Sequence, residues 1–274
     1  MKILIAADME GISGVVHWDQ VTPGTQDYAR FRRIMTQDVN AAIRGAFEAG
    51  AQEVIVSDGH NLGKNILIEE LDPRAKLNSG TPSPYSMVQG IGADVDGVCF
   101  IGYHARIGTP NAILEHTWSD ERVSNLWING QPFGETGLNA GVCACFNVPV
   151  IMVSGDQAVC DEARRILGEV ETAVVKRASG RMAAECLHPQ VAQQLIQTCA
   201  AHAVSRLREG QAPAPLKIAA PIHLTVDFVQ SEMADKAMLL PGAQRQEGRR
   251  IEYIASDMLQ IYAAFRTMLA LARG

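Results

Sequence analysis

The sequence predicts an α/β fold: a three-layer sandwich around a mainly parallel sheet, with a second, smaller α/β lobe. Three features carry that expectation. Short apolar runs at 3–7, 54–56, 97–103 and 148–153 are free of charge, as expected of strands covered on both faces. A long helical-period segment separates the first two runs, so the strands are joined by a crossover and lie parallel. The runs also stop abruptly at polar side chains instead of fading into loops.

A chain of 274 residues can bury one large core or two smaller ones, here expected as a metal-binding catalytic core over 1–168 and a second lobe over 169–274, with the last helix packing back on the core. Apolar residues make up 47% and charged residues 20%, ordinary for a globular protein. The net charge of -6, from 24 basic and 30 acidic residues, offers no basis for a nucleic-acid or acidic-membrane partner. Cys99, Cys143, Cys145, Cys160, Cys186 and Cys199 form no CxxC pair and read as buried free thiols. No signal-peptide core precedes Asp8 and no bilayer-length apolar run follows, so a cytoplasmic location is expected.

Strand 3–7 leads into a long loop at 12–27, containing Ser13, Gly14, Pro23 and Gly24. From Tyr28 to Ala49, Phe31, Ile34, Met35, Val39, Ala42, Ile43, Ala46 and Phe47 recur at helical spacing, one buried stripe closed by Gly50. The second strand, 53–58, completes a strand-helix-strand unit. A short helix at 65–71 and a turn-rich link at 79–83 precede the third strand at 97–103. After a loop at 105–123, Asn129-Gly130 between two extended segments predicts a hairpin with a type I′ turn. Helix 138–146, strand 148–156, helix 157–168, strand 173–176 and a helix from Pro189 to about 207 follow. The linker Gln211–Pro215 introduces a long strand at 216–229, a helical patch at 233–239, a strand at 250–254 and a closing helix at 257–271.

The strand endings carry the chemistry. In extended backbone, side chains at i and i+2 point the same way, so Asp8 and Glu10 share a face while Met9 packs on the other. Two neighbouring carboxylates repel unless a cation sits between them. The second strand stops at Asp58 and His60, the third at His104, and Glu135 lies where the hairpin gives way to helix. Singly, such residues can be turn caps or hydrogen-bonded structural histidines. Parallel sheets, however, place their functional crevice at the carboxyl ends of the strands, where these endings converge. Asp8, Glu10, His60, His104 and Glu135 exceed the three protein ligands of a usual catalytic zinc, so two metals sharing a carboxylate use them better. The donor types suit zinc, with manganese or cobalt as substitutes. Asp156 reads as structural, His17, His188, His202 and His223 as non-catalytic, and Trp18, Trp118 and Trp127 as packing residues. There is neither a GxGxxG fingerprint nor a P-loop.

Four motifs, Asp8-Met9-Glu10-Gly11-Ile12-Ser13-Gly14, Ser57-Asp58-Gly59-His60, Gly102-Tyr103-His104-Ala105-Arg106 and Gly134-Glu135-Thr136-Gly137-Leu138-Asn139-Ala140, together resemble the zinc-dependent D-aminopeptidases of the DppA type. The resemblance runs in order along essentially the whole chain, through Ser86-Met87-Val88, Val153-Ser154-Gly155-Asp156 and Ser256-Asp257-Met258. It implies a two-zinc enzyme in which Asp8 bridges both ions and Glu10, His60, His104 and Glu135 complete the coordination. It also implies a catalytic histidine, matched by His116 at a spacing from His104 one residue longer than the family pattern, for proton transfer or oxyanion stabilisation. The resemblance further implies a ring-shaped homodecamer acting on short peptides with an N-terminal D-residue such as D-alanine. The substrate amine would rest on a metal or a carboxylate, with Glu115 and Asp58 as candidates. Alternatives are another dinuclear amidohydrolase, an L-specific aminopeptidase of the same fold, or a metal-stabilised binding protein without turnover.

Overall fold

In the computed structural model, which describes residues 1–273, the first apolar run becomes β1 (Lys2–Ala7), buried from Ile3 onward. Ile3, Ile5 and Ala7 enter one core and Leu4 and Ala6 the other, so both faces of the strand are covered. Around it, β2 (Glu53–Asp58), β3 (Ala75–Asn78), β4 (Gly97–Tyr103), β7 (Val150–Asp156), β8 (Glu171–Gly180) and β9 (Ala183–Cys186) complete a sheet in the order β3-β2-β1-β4-β7-β8-β9. All its pairs are parallel except β8 with β9.

One face of this sheet is covered by α1 (Gln26–Glu48) and α4 (Pro189–Arg208), which pack on each other. The other face carries α2 (Glu135–Ala144), α3 (Gln157–Leu167) and α6 (Met258–Leu271). Sharing that core is a second, antiparallel sheet, β11-β12-β10-β5-β6, built from β5 (Val123–Ile128), β6 (Gln131–Pro132), β10 (Ile222–Phe228), β11 (Gln244–Arg245) and β12 (Arg250–Ala255), with α5 (Ser231–Ala237) following β10. The β5–β6 hairpin turns at Asn129 (φ 49) and Gly130 (φ 75), both left-handed as a type I′ turn requires.

Sheet membership crosses residue 168 in both directions: β8 and β9 extend the sheet begun by β1, while β5 and β6 pair into the sheet of β10. The strand expected from 216 starts only at Ile222, because Pro221 has no N–H to give the ladder. Residues 65–71 tighten into a single 3-10 turn at Ile68–Glu70, and the loop at 12–27 contains another at Trp18–Gln20. The thiols divide differently from expectation. Cys99, Cys143 and Cys160 are buried and Cys199 half-buried, but Cys145, which ends α2, and Cys186, on edge strand β9, are exposed. Among the described residues, no helix is long and apolar enough to cross a membrane.

Candidate metal centre

Three adjacent strands, β2, β1 and β4, deliver the acidic and imidazole groups to one spot. The loop after β1 is laid directly on β4: Asp8 N–H donates to Ile101 O at 2.8 Å and Gly11 N–H to Gly102 O at 2.8 Å. Gly102 holds a left-handed φ of +75, and a Cβ there would lie 2.3 Å from Asp8 O. A Cβ on Gly11 would lie 1.9 Å from Tyr103 O. Any larger residue at either place separates Asp8 and Glu10 from His104.

Asp8 lies between two imidazoles. Its Oδ1 is 3.3 Å from His60 Nδ1, and its Oδ2 is 3.4 Å from His104 Nε2. Glu10 Oε2 joins the His60 side at 3.2 Å, and Glu135 Oε1 joins the His104 side at 3.2 Å. Glu135 opens α2 and also accepts the Trp118 N–H at 2.7 Å.

The second nitrogen of each ring is already committed. His60 Nε2 lies 2.8 Å from Val21 O, His104 Nδ1 3.0 Å from Ala105 O, and His116 Nδ1 2.9 Å from Leu114 O. Since a carbonyl only accepts, those nitrogens are the protonated ones, and a neutral ring turns its lone pair towards the carboxylates. Acceptor then faces acceptor. Asp8 Oδ2, Glu10 Oε2 and His104 Nε2 are buried without any hydrogen-bond partner. A proton or a metal ion on each facing nitrogen resolves the conflict.

Without metal, the proton wins. Burial disfavours charge on His60, yet Glu10 and Asp8 raise its pKa well above the ordinary imidazole value. Burial likewise opposes charge on His104, which Glu135 and Asp8 outweigh. The Asp8 carboxyl, which burial alone would push up, is held well below the usual range by His104 and His60. Glu10 is lowered against burial by the charge of His60.

The donor set fits zinc. Ligand atoms of Asp8, Glu10 and His104 lie within 4.8 Å of one another, as do those of His104, His116 and Glu135. His104 belongs to both groups but has only one nitrogen left to offer. Asp8 alone presents separate oxygens to the two sides.

The His116 ring stacks on His104 with centroids 4.0 Å apart, and its Nε2 lies 3.8 Å from Glu135 Oε1. It lines a cavity of about 790 Å³ together with Asp8, Glu10 and His60. Trp18 and Trp118 also line it, so packing is only part of their role; Trp118 meets Tyr262 and Phe265 edge-on from behind. Trp127 lies instead on β5, against Arg250.

Both oxygens of Asp58 are occupied, by Asn65 N–H (2.6 Å), Asn65 Nδ2 (2.7 Å) and Ile66 N–H (2.8 Å), so it organises the loop after His60. Glu115 is ion-paired to Arg181. Neither lines the cavity that contains Asp8, Glu10 and His116. Asp156 caps α3 through Val159 N–H at 3.0 Å and accepts Ile113 N–H at 2.7 Å, which fixes the loop bearing His116.

Sequence reasoning missed a clasp on the loop after Glu10. Lys176, buried in β8, donates to Glu10 O (2.6 Å), Ile12 O (2.9 Å) and Val15 O (2.7 Å). Burial pushes its pKa down to about 8. Nearby, buried Asp38 of α1 accepts the Ser13 N–H at 2.9 Å and hydroxyl at 2.7 Å. Burial raises that carboxyl to about 6, against those hydrogen bonds. The available signals were a lysine following Val174-Val175 in a strand and an aspartate on the Met35–Val39 stripe.

The chain is similar to known proteins along essentially its whole length. Residues 1–267 match the family model described as D-aminopeptidase. A D-aminopeptidase of Bacillus subtilis (strain 168) is 38% identical over 273 residues, covering 99% of this chain and 98% of that protein. The solved structure described as Zn-dependent D-aminopeptidase DppA from Bacillus subtilis, a self-compartmentalizing protease, matches with a TM-score of 0.94 at 38% identity, over 99% of this chain and 98% of that one.

Proposed function

The chain belongs to the D-aminopeptidase family, and from that premise we propose that it is a two-zinc aminopeptidase removing an N-terminal D-residue, such as D-alanine, from short peptides. The observation that carries this is the buried cluster in which imidazole nitrogens face carboxylate oxygens across 3.2 to 3.4 Å. Asp8 would bridge the two ions, Glu10 and His60 completing one site and Glu135 and His104 the other. Zinc is favoured by this donor set and is the metal named for the solved relative. When bound, a pair of such ions lowers the pKa of a water and polarises a carbonyl.

The chain's own residues supply the rest. Hydrolysis breaks the C–N bond, and the departing nitrogen needs a proton. His116 is suited to carry it: Nδ1 is anchored on Leu114 O, leaving Nε2 at the cavity. The stack on His104 fixes its plane, and Trp18 and Trp118 wall the reacting end against water. The solved relative is described as self-compartmentalizing; for this chain we infer a closed homo-oligomer, a ring-shaped decamer by resemblance, that admits only short peptides.

A substrate panel tests the reading. Release of alanine from D-Ala-Gly-Gly, but not from its L-isomer, is expected. Equal cleavage of both would make the enzyme a general aminopeptidase, and cleavage of neither would overturn the assignment.

A further inference from the structure

The cavity extends from the metal centre to a basic region that the chemistry above leaves unused. Arg122, just before β5, and Arg266 and Arg273, on and after the end of α6, line the same space as Asp8, Glu10 and His116. Arg266 is fixed there: one of its Nη groups donates to Pro84 O at 2.7 Å, and its guanidinium lies 5.6 Å from the Tyr262 ring centroid. Arg122 donates Nε–H to Ser119 Oγ at 3.1 Å. Burial and the neighbouring Arg273 charge push its pKa down, against the opposing charge of Glu121, so Arg122 and Arg273 lie close enough to sense one another. The arginine ion pairs among the described residues involve other side chains, Arg33, Arg74, Arg164, Arg181, Arg206, Arg245 and Arg250. Asp120 and Glu121, on the same rim, are exposed.

We propose that Arg122, Arg266 and Arg273 receive the C-terminal carboxylate of the peptide whose first residue lies at the metal centre, an inference that rests on the aminopeptidase reading. A short peptide is dipolar, ammonium at one end and carboxylate at the other. The metal centre takes the amino end, and the guanidinium groups lining the same cavity supply the positive charge that the carboxylate end requires. Guanidinium forks pair with carboxylates through parallel charge-assisted hydrogen bonds. An extended dipeptide or tripeptide spans about 7–10 Å, so a bound peptide lays its two ends on different parts of the lining. The clamp selects short chains with a free C-terminus and discriminates against amidated ones.

The test compares D-Ala-Gly-Gly with its C-terminal amide on the zinc-loaded wild-type enzyme. The free acid is expected to show a KM about tenfold lower at similar kcat, as one charge-assisted contact would give. In Arg122→Gln and Arg266→Gln, the acid-over-amide ratio of kcat/KM is expected to fall towards 1. Equal kcat/KM for acid and amide in the wild type overturns the clamp and leaves the aminopeptidase standing. A ratio unchanged in both variants overturns the assignment to these arginines. Cleavage of neither peptide overturns both.

Discussion

At the residue scale, the centre is defined by what each side chain cannot do alone. His60 and His104 are tied by one nitrogen to a backbone carbonyl, so the other meets carboxylates either as a proton donor or as a metal ligand. Their raised pKa values mean that protons occupy the metal-free site at neutral pH and compete with the metal as pH falls. Zinc uptake at pH 7 should therefore release about two protons per chain when both sites fill, read with an indicator dye in weakly buffered solution. Uptake without proton release would contradict the assigned ring states. His116→Ala should keep its zinc yet lose about 100- to 10,000-fold in kcat, measured on D-Ala-Gly-Gly beside metal content. Asp8, Glu10, His60, His104 and Glu135 were legible as candidates because each follows an apolar run or opens a helix, whereas His116, in a loop, was reached only through the family resemblance. Lys176 and Asp38 were not, since a lysine in a strand and an aspartate on a helix ordinarily face water; only the fold shows both pointing at one loop.

At the element scale, the loop from Glu10 to Val15 is the part whose shape must be held from outside. It has little regular backbone bonding of its own, and the Lys176 ammonium gathers three of its carbonyls. Lys176→Met strands those carbonyls in a buried place. The expected result is a lower melting temperature and a metal affinity reduced by about 10- to 100-fold, as when outer-sphere partners of a ligand are removed. A variant with unchanged zinc affinity in a competitive chelator titration would show that the clasp does not act on Glu10. The strands that were legible, β1, β2, β4 and β7, are buried on both faces and so spell themselves in apolar runs. The edge strands β3 and β9 are partly exposed and mixed in composition, which leaves no periodic signal. The start of β10 was misjudged because the apolar character of 216–221 continues across Pro221, where strand pairing cannot.

At the scale of the whole molecule, strand order in the sequence does not encode which sheet a strand joins. Thus β5 and β6 leave the chain midway to pair with β10, while β8 and β9 return to the edge of the large sheet. The consequence for function is that Trp118, just before β5, and α6, near the C-terminus, line one cavity with Asp8 and Glu10 after β1 and His60 after β2. Light scattering of the purified protein should give a mass several-fold above one 29.6 kDa chain, as a closed ring requires; a monomer that cleaves peptides fully would contradict compartmentalisation. The proposed activity depends above all on metal. Zinc content and D-Ala-Gly-Gly hydrolysis should be measured on the same preparation before chelation, after chelation and after zinc is restored. About two equivalents of zinc per chain, with activity lost and regained in step, is the expected result; undiminished hydrolysis by thoroughly demetallated protein would contradict it.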